Sequence, residues 1–256
     1  MARHARIQSA TGIYHIIMRG INKQNIFECR EDFERFKLCI EKVKEVSEME
    51  VLAYCLMCNH VHIVAGVGSE PLGESFKRIG VRYAYWYNRK YNRQGPLFQD
   101  RYRSEPIEDD TYLLTAVRYV HQNPIKAGLC KEPKEYEWSS FADYVGEWNE
   151  ITDTNLVLSI YSKDPTEQIR LFEEFTEKDN DDEFEDIGDD ICISETALRE
   201  RMNNICHASN AEEFQALSRE ERNQSLLAMR NSGMSIRQIV QQTGESYWAV
   251  QSIRRP

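Results

Sequence analysis

The 256-residue sequence predicts an α+β protein, an antiparallel sheet covered by helices and followed by a small all-α domain. Three observations carry that prediction. The stretch 54–67, YCLMCNHVHIVAGV, is free of charge and reads as buried strand. Segments with apolar residues at helical spacing alternate with strand-like runs through the first 145 or so residues. Beyond an acidic run, two Ser-x-x-Glu/Gln boxes open successive helices.

Taken in order, Thr11 to Arg19 (TGIYHIIMR) reads as a first strand, followed by the polar loop GINKQNIF. From Glu31 to Glu48, Phe33, Phe36, Leu38, Ile40, Val43 and Val46 recur at helical spacing among dense charge, the mark of an amphipathic surface helix. Val51 to Tyr54 then leads into the charge-free run. Asn59 leaves two readings open there, one strand or two antiparallel strands meeting at a turn. In both, His60 and His62 share a face roughly 6.5–7 Å apart, with Val61 and Ile63 turned to the core. Two imidazoles so placed can hold one divalent cation.

Pro71 to Tyr91 reads as a helix in which Lys77, Arg78, Arg82, Arg89 and Lys90 alternate with Phe76, Tyr83, Tyr85, Trp86, Tyr87 and Tyr91; Arg101 and Arg103 continue the pattern. Cations follow a phosphate backbone and aromatic faces accept unpaired bases, so the mixture suits single-stranded nucleic acid. The competing reading is a helix that packs its aromatics inward and leaves its cations solvated. Asp109 or Asp110 caps a third helix, TYLLTAVRYVHQN, which Pro124 is expected to end. Leu113, Val117 and Val120 form its core stripe, and Tyr112, Tyr119 and Asn123 share another sector spanning roughly 40°. After Trp138-Ser139-Ser140 the pattern loosens into one or two short helices between Ile151 and Phe175, then the acidic run Glu173 to Asp190.

At 41% hydrophobic residues and a mean hydropathy of −0.62 the chain reads as a water-soluble protein, with no signal segment and no membrane span. Seven dispersed cysteines, an odd number, imply reduced thiols and a cytoplasmic location. The net charge of −10 conceals an asymmetry: residues 1–150 hold 21 basic and 21 acidic side chains, the remainder 11 and 21. The acidic run accounts for much of the excess and reads as a solvated linker. Beyond it, Ser218 with Glu221, and Ser235 with Gln238, open two helices, and Thr243-Gly244 turns the chain into a last one. Helix, short turn, helix, with Arg237, Arg254 and Arg255 at hand, is the helix-turn-helix pattern of duplex-DNA binding. The expected domains are 1–148, a helical segment with acidic linker at 149–192, and a helical C-terminal domain at 193–256 whose helix-turn-helix spans about 218–256.

YHIIMRGINKQNIF at 14–27, AYCLMCNHVHIV at 53–64, GPLFQDRYRS at 95–104, RYVHQNPIKAGL at 118–129 and YEWSS at 136–140 together resemble the REP-associated tyrosine transposases, a branch of the HUH single-strand nucleases. The resemblance implies a ferredoxin-like antiparallel sheet with the histidines on a central strand. It also implies that His60 and His62 are metal ligands, Asn123 a further amide ligand and Tyr119 the nucleophile. The activity implied is metal-dependent cleavage and rejoining of single-stranded or hairpin DNA through a 5′-phosphotyrosine, with Mg²⁺ or Mn²⁺, by a monomer or homodimer. Arg19, Lys77, Arg78, Arg82, Tyr85, Arg89, Arg101, Arg103, Arg237, Arg254 and Arg255 are the expected DNA contacts. One departure is Cys58, which stands where relatives commonly carry proline. A zinc module of Cys55, Cys58, His60 and His62 is disfavoured because ligands so close on a strand do not readily converge tetrahedrally. The alternative is a sequence-specific DNA-binding regulator on a retired nuclease fold.

Overall fold

In the computed structural model, residues 7–146, 151–178, 180, 184 and 195–253 are described, with the backbone alone at 195–197. The chain divides into two units, Met1–Cys192 and Ile193–Pro256.

The first unit is built on strands β1 (Ile13–Arg19), β2 (Glu50–Met57), β3 (His60–Gly66) and β4 (Arg103–Ile107), in the order β2-β3-β1-β4 and antiparallel throughout. Helix α1 (Arg30–Ser47) links β1 to β2, and α2 (Leu72–Lys90) links β3 to β4. This split β-α-β-β-α-β order is ferredoxin-like, as the resemblance implies. The charge-free run is two strands that turn at Cys58-Asn59, which decides between the two readings above.

Side chains alternate across the sheet, so each strand divides its residues between two cores. Ile16, Met18, Tyr54, Leu56, Val61 and Ile63 face α1 and α2, meeting Phe36, Ile40, Val43, Phe76, Ile79, Tyr83 and Tyr87. Ala53, Cys55, Met57 and Val64 belong to the other core, with Leu113, Val117 and Val120 of α3 (Asp110–Lys126). The β1–β3 register sets Arg19 opposite His60, Ile17 opposite His62 and His15 opposite Val64. All these residues therefore lie on the α3 face.

Helix α1 starts on a buried anchor. Asp32 accepts the backbone N–H of Glu28 (2.6 Å) and Cys29 (3.1 Å), which caps the helix, and also receives Lys90 Nζ (2.7 Å) and the Tyr91 hydroxyl (2.7 Å). Burial opposes the charge on Lys90, but its hydrogen bonds to Asp32, Glu31 and Cys29 prevail and raise its pKa. One carboxylate thus ties the start of α1 to the end of α2. Of the α2 aromatics, Phe76, Tyr83 and Tyr87 are buried and Trp86 packs partly, so the inward-packing reading describes them; Tyr85 alone is largely solvated, at 70% exposure.

Asp109 caps α3 by accepting Tyr112 N–H (2.8 Å). Pro124 does not end the helix as expected. It lies within the last turn, where its missing N–H removes a single rung, and the helix runs on to Lys126 before Gly128 closes it at φ +69°. The far side of α3 is covered by α4 (Phe141–Tyr144), α5 (Asn155–Tyr161) and α6 (Pro165–Glu177). Phe172 stacks on Tyr144 (4.3 Å between centroids), and Gln122 Nε2 donates to Thr176 O (2.7 Å). Residues 116–124 are consequently buried on every side. The segment 136–140 runs beside β2, with Leu56 N–H donating to Trp138 O and Ser140 N–H to Tyr54 O (both 2.9 Å), which shields an otherwise open sheet edge.

The second unit holds α7 (Glu195–Cys206), α8 (Ala211–Gln215), α9 (Arg219–Asn231), α10 (Ile236–Thr243) and α11 (Tyr247–Ser252) around Met202, Phe214, Leu226, Met229, Ile239 and Val250. Both capping boxes form, at Ser218/Glu221 and Ser235/Gln238, and each serine contributes about 1 kcal/mol to its helix. Gly244, at φ +69°, turns the chain from α10 towards α11. Arg254, Arg255 and most of the acidic run lie outside the described residues.

Cys29, Cys39, Cys55, Cys130 and Cys206 keep their thiols outside any disulfide, whereas Cys58 is disulfide-bonded, so uniformly reduced thiols are not found. Among the described residues no helix is long and apolar enough to cross a membrane.

Candidate active site

Strand alternation brings His60 and His62 to one face as expected, with ring centroids 4.9 Å apart. Both are buried. Helix α3 lays Tyr119 across them: its ring stands edge-on to His62, 5.6 Å between centroids, and is 2% exposed. Asn123, one turn further, is buried on the same helix and donates its amide N–H to Tyr119 O (2.9 Å).

The sequence reading overlooked His15. It is buried on β1, its Nε2 lies 3.0 Å from His62 Nδ1, and its ring meets Tyr119 edge-on at 5.7 Å. The signal was available in YHIIM, where a lone imidazole interrupts a charge-free strand on the parity of Ile13 and Ile17. Lys126, seven residues beyond Tyr119, lays its ammonium 4.9 Å from the centre of the tyrosine ring. Phe184, from the acidic run, packs on Tyr119 at 4.4 Å.

The donor set, two imidazoles and one amide oxygen, could hold a divalent cation. Burial, then the neighbouring His60 and His15, push the His62 pKa well below its ordinary value, so His62 is a neutral imidazole. Its Nε2 is buried and accepts no hydrogen bond, and the same is true of Asn123 Oδ1. His60 Nδ1 is 2.6 Å from Asn59 Oδ1; an amide oxygen only accepts, so Nδ1 carries a proton and Nε2 is the nitrogen turned away from Asn59. Among the described residues no three His, Cys, Asp or Glu side chains gather as a metal cluster. With Cys58 committed to a disulfide, the four-ligand zinc module loses one thiolate.

Tyr112 and Tyr119 share a sector of α3, but their surroundings separate them. The Tyr112 hydroxyl donates to Glu105, and burial together with that carboxylate raises its pKa. Tyr119 faces imidazoles instead.

Residues 8–123 match the family described as "Transposase IS200 like". This segment is similar to that transposase family. A curated relative from Haemophilus influenzae, a "Putative REP-associated tyrosine transposase", is 25% identical over 159 residues, covering 55% of this chain and 86% of its own. A solved structure of a REP-associated tyrosine transposase bound to a REP hairpin shares the fold, with TM-score 0.50 and 18% identity over 60% of this chain and 93% of that one.

The expected DNA contacts are spread over the fold. Arg19 is buried opposite His60, and Arg103, opposite Ile17 on β4, sits on the same face of the sheet. Lys77, Arg78, Arg82, Tyr85 and Arg89 lie on α2, which packs on the opposite face, so the fold does not bring them to Tyr119. Arg78 is also held by Glu70 (2.7 Å). Arg101 is exposed just before β4. Arg237 is half-buried on α10 of the second unit.

Proposed function

We propose that the first unit cleaves and rejoins single-stranded DNA, acting on hairpin or repeat sequences through a 5′-phosphotyrosine on Tyr119. The observation that carries this reading is the buried Tyr119 ring set edge-on to His62, on a face where His62 Nε2 and Asn123 Oδ1 are buried and accept no hydrogen bond. Two imidazoles and an amide oxygen could hold one divalent cation, read here as Mg²⁺ or Mn²⁺, whose octahedral shell would leave positions for phosphate and water. His60, His62 and Asn123 would hold the cation, which when bound polarises the scissile phosphate.

A phenol of pKa ~10 is a weak nucleophile at neutral pH, so its surroundings must favour its anion. The Lys126 ammonium beside the ring supplies positive charge for that purpose. The Tyr119 oxygen attacks phosphorus, a Tyr–O–P bond forms as the P–O3′ bond breaks, and the departing 3′ oxygen takes up a proton. Attack by a 3′-hydroxyl reverses these steps and joins strands without ATP. Arg19 and Arg103 are the cations on the Tyr119 face of the sheet suited to the DNA backbone. In the second unit, α10 and α11 are proposed to contact duplex DNA, with Trp248 projecting from α11 at 77% exposure.

The test is incubation of the protein with labelled single-stranded hairpin oligonucleotides and Mn²⁺, scored for adducts that survive denaturation. Adducts are expected with Mn²⁺ and none in EDTA. Specific hairpin binding that never yields an adduct would favour the regulator on a retired nuclease fold.

A further inference from the structure

Helix α2 turns to solvent a row of side chains that the Tyr119 face does not use. Arg78, Arg82, Tyr85 and Arg89 recur at i, i+4, i+7 and i+11, so they share roughly 60° of arc and extend about 16 Å along the helix. All four are exposed, Tyr85 at 70%, while Phe76, Ile79, Tyr83 and Tyr87 bury the opposite side of the helix. A phenol ring left in water between guanidiniums contributes nothing to the core.

The protein does not neutralise this row. Glu70 holds Arg78 at 2.7 Å, but among the described residues no carboxylate comes within ion-pair distance of Arg82 or Arg89. Arg35 of α1 adds another guanidinium, lying over the Trp86 ring at 5.8 Å, with its Nε buried and without a hydrogen-bond partner. Burial raises the pKa of the Cys39 thiol and the charges of Arg35 and Arg82 oppose that rise, so both guanidiniums lie near that thiol. Like charges gathered without a counter-charge repel one another, and an external polyanion relieves the repulsion. Duplex DNA offers phosphates but keeps its bases stacked; a single strand offers both phosphates and base faces, which matches arginines flanking an exposed ring. The chain's own acidic run is not the occupant, because Asn180 donates to Gln122 Oε1 (2.7 Å) and Phe184 packs on Tyr119, both on the other side of the sheet.

We infer that the outer face of α2 is a second track for single-stranded DNA, separate from the Tyr119 face, with Arg82 and Arg89 on phosphates and Tyr85 beneath a base. The choice of DNA as occupant rests on the function proposed above. Such a track holds the part of a strand that extends beyond the cleavage site, where no covalent bond to Tyr119 retains it.

The test has two arms, both on the full chain and in EDTA so that no cleavage intervenes. In the first, native protein is irradiated with oligothymidylate carrying 5-iododeoxyuridine, digested and mapped. A cross-link on the peptide containing Tyr85 is expected; cross-links confined to the Tyr119 face or to the second unit overturn the inference without reference to any variant. The second arm follows binding of fluorescent oligothymidylate by anisotropy across a salt titration. Tyr85→Ala is expected to weaken binding about 5- to 150-fold, the equivalent of one base–aromatic stack, and Tyr85→Phe to stay within about twofold of native. Arg82→Gln combined with Arg89→Gln should make the salt dependence shallower by about 1.4 in log–log slope, the share of two phosphate contacts. These side chains are exposed, so the variants should melt with the native protein. Unchanged affinity and slope would overturn the inference, and equal losses on a blunt duplex of the same length would overturn the assignment to single strands. Adducts on Tyr119 without a Tyr85 cross-link would sink this inference alone, whereas a Tyr85 cross-link without adducts would sink the cleavage reading alone.

Discussion

Tyr119→Phe removes one oxygen from a side chain that is 2% exposed, and the structure allows its effects on folding and chemistry to be separated. The ring's contacts with His62 at 5.6 Å, His15 at 5.7 Å and Lys126 at 4.9 Å are all kept by phenylalanine. Losing a buried hydroxyl changes stability by about 0.5–1.5 kcal/mol, far less than the roughly 3–5 kcal/mol of removing the whole ring in Tyr119→Ala. For a unit of this size the first figure shifts Tm by roughly 1–6 °C. The chemical effect is total, because no oxygen remains at that position to attack phosphorus. Tyr119→Phe is therefore expected to melt close to the native protein, to bind hairpin DNA normally and to form no covalent adduct. Tyr112→Phe loses a hydroxyl already engaged with Glu105 and should still form one. The assay is a denaturing gel of labelled oligonucleotide with Mn²⁺, followed by peptide mapping of the adduct. An adduct on Tyr112, or undiminished cleavage by Tyr119→Phe, would refute the assignment.

Two further outcomes test the fold that positions the site. Asp32→Ala strands Lys90 and uncaps α1, so a loss of about 3–5 kcal/mol is expected in denaturant unfolding; a loss under 1 kcal/mol would mean the cluster is only an exposed-type ion pair. A chain ending at residue 146 loses α5 and α6, and with them Val157 and Phe172 from the second core, each worth about 1.5–3 kcal/mol of burial, so it should be poorly folded, whereas a chain ending at residue 192 should keep cleaving; equal activity of the two truncations would contradict this packing.

Strand parity was legible because it needs only local sequence: His60-Val61-His62 must place two imidazoles on one side wherever the strand lies. Helical phase likewise put Tyr119 and Asn123 on one sector before any packing was known. What could not be read was which strand lies beside which. His15 is 47 residues from His62 in the chain, and only the antiparallel β1–β3 register makes them neighbours. The same limit governs α2. Its cations and aromatics are real features of the sequence, but the side of the sheet a crossover helix covers is a topological fact, and here it is the side away from Tyr119. Pro124 misleads for a different reason: a proline stop assumes a helix interior, and this one falls where few rungs remain.

Tyr119, proposed above as the nucleophile, is 2% exposed, which raises the question of how DNA would reach it. Three of its neighbours, His15, His62 and Lys126, come from β1, β3 and α3, elements packed into the core of the fold. Phe184 differs, coming from the acidic run, and it meets Tyr119 at 4.4 Å, His15 at 5.5 Å and, in parallel stack, Tyr112 at 5.6 Å. An aromatic face held there has the shape and polarisability of a nucleobase, so it either occupies the place a base must take or provides a surface for one. The two roles predict opposite signs. If the ring competes with DNA, Phe184→Ala should speed adduct formation at Tyr119 and lower the hairpin concentration needed for half-maximal rate, with Mn²⁺ affinity unchanged. If the ring is a stacking partner, the same variant should slow the reaction, by an amount matching the roughly 1–3 kcal/mol of a base–aromatic stack. The contacts favour competition, because Phe184 is buried against Tyr119, Tyr112 and His15, which leaves little of its ring for a base. A rise in rate is therefore the expected result in single-turnover adduct assays, and a fall would assign the ring to substrate binding instead.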